Sequence, residues 1–282
     1  MPIRSDWVGR SGLPVEDPIE ERWVSNYAAS VYDSNDRYYE NRNTTPQVHP
    51  TYVSQLGWGA LGSLYEELEG LTPDERKWGV HSYNHTILHD SFSAGCTLSS
   101  VATVVGVDAR HSGGRYTARI ETSCAGQPVA TSYTSSIFRG VGVEGDDVVP
   151  DLPASPQAPE GEPDRVEQIR MTALSPYHFS ECARDYGAIH TDRAAAEAAG
   201  LPGLIMHGTG TFAYVLSSIT NHEAGGDPDR VVEFSGRLGA MVLCPSTVEV
   251  RTWVRGDTVH FTLLNEEGEP ALSRGVVRLG QR

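Results

Sequence analysis

The sequence is short of positive charge, and Lys77 is its only lysine. Its 22 Lys and Arg stand against 37 Asp and Glu, a formal net charge of −15. That balance repels a polyanion and argues against a nucleic-acid partner. It still permits a small phosphorylated ligand, which a few local arginines can hold by their planar forks. No apolar run reaches the roughly 18 residues that a membrane-crossing helix requires, so no membrane partner is expected. The first residues, "MPIRSDWVGRSGLPVEDP", lack the apolar stretch of a signal peptide, and a cytoplasmic location is expected. Cys96, Cys124, Cys182 and Cys244 are scattered without a C-x-x-C pair. They read as reduced packing residues rather than metal ligands or disulfide partners.

What is present fits a globular protein. The 282 residues are 39% apolar and 21% charged, enough for one large domain or two of ordinary size. Residues 144–164, "EGDDVVPDLPASPQAPEGEPD", hold five prolines and seven acidic residues without apolar periodicity. They read as an exposed linker between an N-terminal half, 1–143, and a C-terminal half, 165–282. Each half ends in three segments rich in Val, Thr, Ile and Tyr, separated by glycine-bearing turns. These are "TLSSVATVVGVDA", "RYTARIETSCAG" and "QPVATSYTSSIFRG", then "STVEVRTWVRGD", "TVHFTLLNEEGE" and "PALSRGVVRLG". They predict consecutive antiparallel strands. Before the strands, 51–70 and 211–226 predict helices that stop on glycine.

The halves align further. Asp33 precedes Tyr38 as Asp185 precedes His190, at an offset of 152; His49 parallels His207 and Thr97 parallels Thr247. Three anchors in one order suggest a duplicated unit, a helix wrapped by a long antiparallel sheet.

The stretch "YHFSECARDYGAIHTDRAAAEAAGLPGLIMHG" resembles the signature of the MaoC-like (R)-specific enoyl-CoA hydratases and dehydratases, also called hydratase 2. The resemblance implies an α+β fold, a double hot dog of two tandem units. It implies that Asp185 and His190 are the catalytic pair and that the backbone N–H of Gly208 stabilises an oxyanion. Tyr186, Gly187, His207 and Thr209 are expected to bind substrate beside them, His207 by bracing the turn. Arg184, Arg193 and Arg237 are candidates for CoA phosphates. The sequence departs from the family at Gly187 and Ala188, where Asn and Pro are usual. The substrate implied is an acyl-CoA or acyl-carrier thioester, with CoA or phosphopantetheine as part of the substrate and no separate cofactor. Hot-dog proteins associate through their sheets, so a homodimer is expected.

The residue types suit that chemistry. Hydrating an α,β-unsaturated thioester requires deprotonation of water, protonation of the α-carbon, and stabilisation of charge on the thioester oxygen. A carboxylate and an imidazole can share the first two tasks. A backbone N–H at a glycine turn can perform the third. "TDRAAAEAAG" predicts a short helix capped by Thr191 or Asp192, whose positive end would keep His190 neutral.

The first copy has Tyr38 for the histidine and Pro50 for the glycine. It reads as chemically inert, shaping an acyl pocket, with Gly59 and Gly62 leaving space for the chain. The histidines His81, His85 and His89 at intervals of four read as one polar face of a strand, with no metal expected. The rival functions are dehydration or cyclisation of a carrier-bound polyketide, thioester hydrolysis, and a catalytically silent acyl-binding subunit.

Overall fold

The computed structural model describes residues 2–69, 72, 79–154 and 156–281. They form two compact units, each assembled from separate stretches of chain. The first comprises Met1–Asp17, Leu56–Asp90 and Thr97–Ala154; the second comprises Pro18–Gln55, Ser91–Cys96 and Ser155–Arg282. Residues 18–55 group with the second unit because their aromatic side chains are buried there. Tyr27 packs on Phe179 with ring centroids 5.7 Å apart, and His49 reaches Ser217 at 3.0 Å. The proline-rich segment 144–164 is fastened at both ends. Val148 pairs with Val107, and Asp164 accepts the backbone N–H of Val254 at 2.7 Å.

In the first unit the strands are β2 (Val15–Pro18), β3 (Gly79–Leu88), β4 (Thr97–Arg110), β5 (Gly113–Cys124) and β6 (Gln127–Arg139). Their order is β2-β4-β5-β6-β3. Two short strands, β1 (Ile3–Arg4) and β7 (Val143–Glu144), pair in parallel beside them. The turn from β5 to β6 is Ala125–Gly126, with φ of 49° and 80°. Two successive positive φ values make the primed turn that matches the twist of a hairpin. Helix α2 (Tyr52–Glu67) lays Ala60, Leu61 and Leu64 into a core with Val104, Tyr116, Ile120 and Phe138.

In the second unit the order is β9 (Val231–Leu238), β12 (Pro270–Leu279), β11 (Thr258–Leu264), β10 (Ser246–Arg255) and β8 (Arg165–Met171). This sheet wraps the helix Gly208–His222, which is buried at every position from Thr209 to Thr220. Helices α1 (Glu21–Ser30) and α3 (Ser175–Ala183) pack together beside it. The short α4 (Arg193–Ala198) precedes the long helix, which is α5. A long antiparallel sheet around a helix, present in each unit, is the double hot-dog architecture.

Some expectations are corrected. Cys96 and Cys124 are disulfide-bonded, while Cys182 and Cys244 are free. Strand register is the reason: Cys124 pairs with Leu98, two residues beyond Cys96, a proximity that sequence spacing does not show. Gly59 and Gly62 lie on the exposed face of α2. A Cβ at Gly59 would meet Val15 at 3.3 Å and one at Gly62 would meet nothing within 4 Å, so neither opens an internal acyl cavity. Gly70, expected to stop α2, lies outside the described residues. His81 and His85 lie on β3, with His89 just beyond it. At about 3.3 Å per residue in a strand, histidines four apart stand about 13 Å from one another and cannot share a metal.

Candidate active site

The site begins where α3 ends. Arg184 takes a left-handed φ of 53° and turns the chain back. The N–H of Asp185 then donates to the Ser180 carbonyl at 3.1 Å, and Ser180 Oγ donates to the Asp185 carbonyl at 2.6 Å. A single tight turn, Ala188–His190, follows, closed by the His190 N–H on the Gly187 carbonyl at 3.0 Å. The Gly187 N–H donates to the Asp185 carboxylate. These bonds bring two side chains separated by five residues to one place. A Cβ at Gly187 would lie 3.5 Å from His190 Nε2 and 3.7 Å from Asp185 Oδ1.

The orientation of His190 follows from its other nitrogen. Nδ1–H donates to the Ile205 carbonyl at 2.9 Å, which leaves the lone pair on Nε2. His207 stacks on the same ring, with centroids 3.7 Å apart and planes inclined by 24°. His207 Nε2–H donates to the Asp185 carbonyl at 3.1 Å. Its Nδ1 is buried with no hydrogen-bond partner among the described residues. His207 therefore braces both members of the pair, one through its ring and one through its N–H.

Burial governs the protonation states. It pulls His190 below the usual imidazole range, against the weaker opposing effects of the Ile205 carbonyl and Asp185. Burial raises Asp185, opposed by His190 and the Gly187 N–H. It drives His207 down to about 2, with His190 adding to the effect. The neutrality of His190 is thus a matter of desolvation and not of the α4 N-terminus. Asp192 caps that terminus itself, accepting the N–H groups of Ala194 and Ala195 at 2.8 and 3.2 Å.

Gly208 is the first residue of α5, with His207 as its N-cap. A backbone N–H in this position has no intrahelical acceptor and lies at the positive end of the helix. Because the N-cap ring stacks on His190, this donor, without an acceptor among the described residues, lies close to the pair in the chain. Thr209, in the same turn, is buried. Tyr186 is 63% exposed and turns to solvent, which does not suit a buried substrate contact. The three arginines lie on different elements. Arg184 sits over the Trp23 ring at 5.6 Å, Arg193 opens α4, and Arg237 is exposed on β9.

The first-copy corner, also in the second unit, repeats this backbone. Asp33 N–H donates to the Ala28 carbonyl at 3.1 Å, and Tyr38 N–H to the Asn35 carbonyl at 3.0 Å. Its side chains do other work. Asp33 Oδ1 accepts the N–H of Asn35 and Nδ2 of Asn221, each at 3.0 Å. Burial and then Asp33 push the Tyr38 hydroxyl well above its ordinary range, so it is no base. His49 holds Ser217 through Nε2 and accepts from Thr51 at Nδ1. A cavity of about 400 Å³ adjoins this corner, lined in part by Tyr32, Asp33, Arg170 and Asn221. None of the Asp185, His190 and Gly208 set lines it.

The MaoC like domain matches residues 154–273. "Enoyl-CoA hydratase 2, peroxisomal" of Arabidopsis thaliana is 24% identical over 251 residues, which cover 84% of this chain and 79% of that protein. A MaoC-like dehydratase structure from Phytophthora capsici is 19% identical with a TM-score of 0.83, covering 98% of this chain and 99% of the other. A Mycobacterium tuberculosis protein described as a double hot dog is 13% identical with a TM-score of 0.63, covering 98% of this chain and 96% of its own. The structural likenesses establish the fold. No helix among the described residues is long and apolar enough to cross a membrane.

Proposed function

We propose that this chain, whose residues 154–273 match the MaoC like domain, adds water to 2-enoyl thioesters or runs the reverse dehydration. A hydratase or dehydratase role is supported by that domain and by the likeness to the Arabidopsis hydratase. The observation that carries the finer reading is the approach of His190 Nε2 and Asp185 Oδ1 to one point beside Gly187, 3.5 and 3.7 Å from where a Cβ would stand. His190 is neutral, with its lone pair on Nε2, and takes a proton from water as the water oxygen bonds to the β-carbon. The α-carbon receives its proton from Asp185, whose carboxyl burial raises toward the protonated form. Proton return from His190 to Asp185 then restores both groups. Charge that develops on the thioester oxygen meets the free N–H of Gly208.

With both proton-transfer groups on one side of the substrate, the addition is syn; the (R) configuration of the 3-hydroxyacyl thioester is carried by the likeness to hydratase 2 and not by the syn geometry. The acyl group is carried by CoA or by a carrier phosphopantetheine, which are parts of the substrate. The test is loss of the enoyl-thioester absorbance band with crotonyl-CoA and octenoyl-CoA, followed by chiral analysis of the product. An (S) product would remove the (R)-specific reading. Inertness on both CoA esters and on carrier-bound equivalents would remove the activity.

A further inference from the structure

Four non-glycine residues among those described have a positive φ. Two of them stand immediately before the paired aspartates: Tyr32, at 57°, before Asp33, and Arg184, at 53°, before Asp185. The left-handed conformation crowds a Cβ against its own backbone, so a residue other than glycine keeps it only where its surroundings enforce it. In both corners the side chain reaches the helix of the other copy. Tyr32 lies against His178 of α3, with ring centroids 6.0 Å apart, and its hydroxyl hydrogen-bonds His178 Nδ1 at 3.1 Å. Arg184 lies over Trp23 of α1, its guanidinium carbon 5.6 Å from the ring centroid.

Arg184 has a second anchor in Gln55, which lies in the first turn of α2, groups with the second unit and is 8% exposed. The Gln55 amide sits between the Ala183 carbonyl and the Arg184 guanidinium. A carbonyl only accepts and a guanidinium only donates, so Nε2 donates to the Ala183 carbonyl and Oε1 accepts from Arg184 Nη2, each at 2.9 Å. One side chain thus holds the last carbonyl of α3 and the side chain that follows it.

The conformation of Arg184 decides where Asp185 lies. The bond from the Asp185 N–H to the Ser180 carbonyl, at 3.1 Å, spans five residues at a helix end. A bond of that span closes a helix only through a left-handed residue, a place that glycine usually takes. If Arg184 relaxed to a right-handed φ, this bond would open and the Asp185 carboxyl would leave its place beside His190.

We propose that Arg184 and Gln55 are positioning residues: Gln55 and Trp23 hold the Arg184 side chain, this keeps its backbone left-handed, and the left-handed turn sets Asp185 beside His190. The inference rests on the hydration reading above. It gives Arg184 a role other than the phosphate contact expected from the sequence.

The test is made on the full chain with crotonyl-CoA. Arg184→Ala and Arg184→Gly both remove the guanidinium, so a contact with CoA phosphates is lost equally in the two. They differ in one methyl group. Alanine keeps the crowding and has no anchor, whereas glycine takes the left-handed conformation without steric cost. A misplacement of 1 Å can cost about 10²-fold, so kcat should fall at least about tenfold in Arg184→Ala. Arg184→Gly should keep at least about fivefold more kcat than Arg184→Ala, with the same KM. Gln55→Leu leaves Arg184 in place and should lower kcat at least about fivefold, with KM unchanged. Added to Arg184→Gly, the same substitution should cost less than about twofold, because no guanidinium remains for it to release. Thermal unfolding of each variant checks the fold, and either comparison decides by itself. Equal kcat in the alanine and glycine variants would overturn the inference. So would a Gln55→Leu loss that is undiminished in the glycine background. The hydration reading survives both results. A wild type inert on crotonyl-CoA and on its carrier-bound equivalent removes the hydration reading, and the inference with it.

Discussion

Replacing Gly208 by proline tests the oxyanion assignment with little change to the fold. Gly208 is the first residue of α5, the one helical position where proline is favoured, because its N–H has no intrahelical acceptor. The residue before a proline must be extended, and His207 already is, with φ −59° and ψ 141°. The first copy carries the sequence His49-Pro50 at the matching place. Proline also restricts the unfolded chain, a gain of about 0.4–1 kcal/mol where the native conformation suits it. The substitution thus removes one backbone donor and leaves the helix start intact. One oxyanion donor contributes about 2.7–4 kcal/mol to the barrier, a factor of roughly 10²–10³ in kcat. Gly208→Ala is the control, since it adds a side chain and keeps the N–H. We expect Gly208→Ala to stay within about tenfold of wild type on crotonyl-CoA. Gly208→Pro should fall by roughly 10²–10³ with its thermal midpoint retained. Proline activity equal to that of the alanine variant, in a folded protein, would refute the role of the N–H. An unfolded proline variant would refute the account of the helix start.

Three further outcomes follow from the same geometry. Asp185→Asn and His190→Ala should each lower turnover by roughly 10²–10⁴, and the double variant should be little worse than the weaker single one, as steady-state kinetics will show. Acidification should destabilise the protein before its carboxylates titrate. Burial holds His49 and His81 down to about 4, so between pH 6.5 and 4 the unfolded chain binds protons that the folded chain refuses. Each such histidine removes about 1.4 kcal/mol per pH unit over that window, with full stability above it. Urea unfolding at pH 7, 6 and 5 should register this, and a flat profile would contradict it. Asp185, shifted the opposite way, offsets part of the loss. Asp33→Ala should cost about 1–3 kcal/mol, chiefly for the half-buried N–H of Asn35 that it orphans, since the exposed Asn221 can turn to water. Asp33→Asn, which keeps an acceptor oxygen, should cost less, and comparison of their unfolding midpoints decides.

Much of the fold was legible because the sheets announce themselves. Runs of β-branched residues broken by glycine turns marked β4, β5, β6, β10, β11 and β12, and apolar content marked α2 and α5. Helices α1 and α3 went unseen because neither carries a side-chain cap at its start, where Glu20 and Leu174 stand. The burial of Gly59 and Gly62 was misjudged because composition says that a helix has small residues and not which face bears them. In the site, the Asp185 and His190 spacing was readable. The Ile205 carbonyl that fixes the tautomer was not, because any residue supplies a carbonyl and leaves no trace in the sequence.

The two corners show most directly why residue identity alone underdetermines chemistry. Asp33 and Asp185 sit in the same turn, each accepting the N–H two residues on. The sequence comparison found the duplication and read the first copy as inert, since Tyr38 is no base and Pro50 has no N–H. It did not show what Asp33 does instead. Asp33 holds Asn221, near the C-terminal end of the helix that Gly208 begins. Asn35 holds Asn221 and Gly226 beside it. The first corner is thereby a fastening for α5. The second has no side chain at 187 and sets a neutral imidazole beside its aspartate, with both ring nitrogen and carboxyl oxygen within 4 Å of where a Cβ at 187 would stand. One backbone motif serves as a clamp in one corner and sets an aspartate beside an imidazole in the other, according to what stands two residues and five residues after the aspartate.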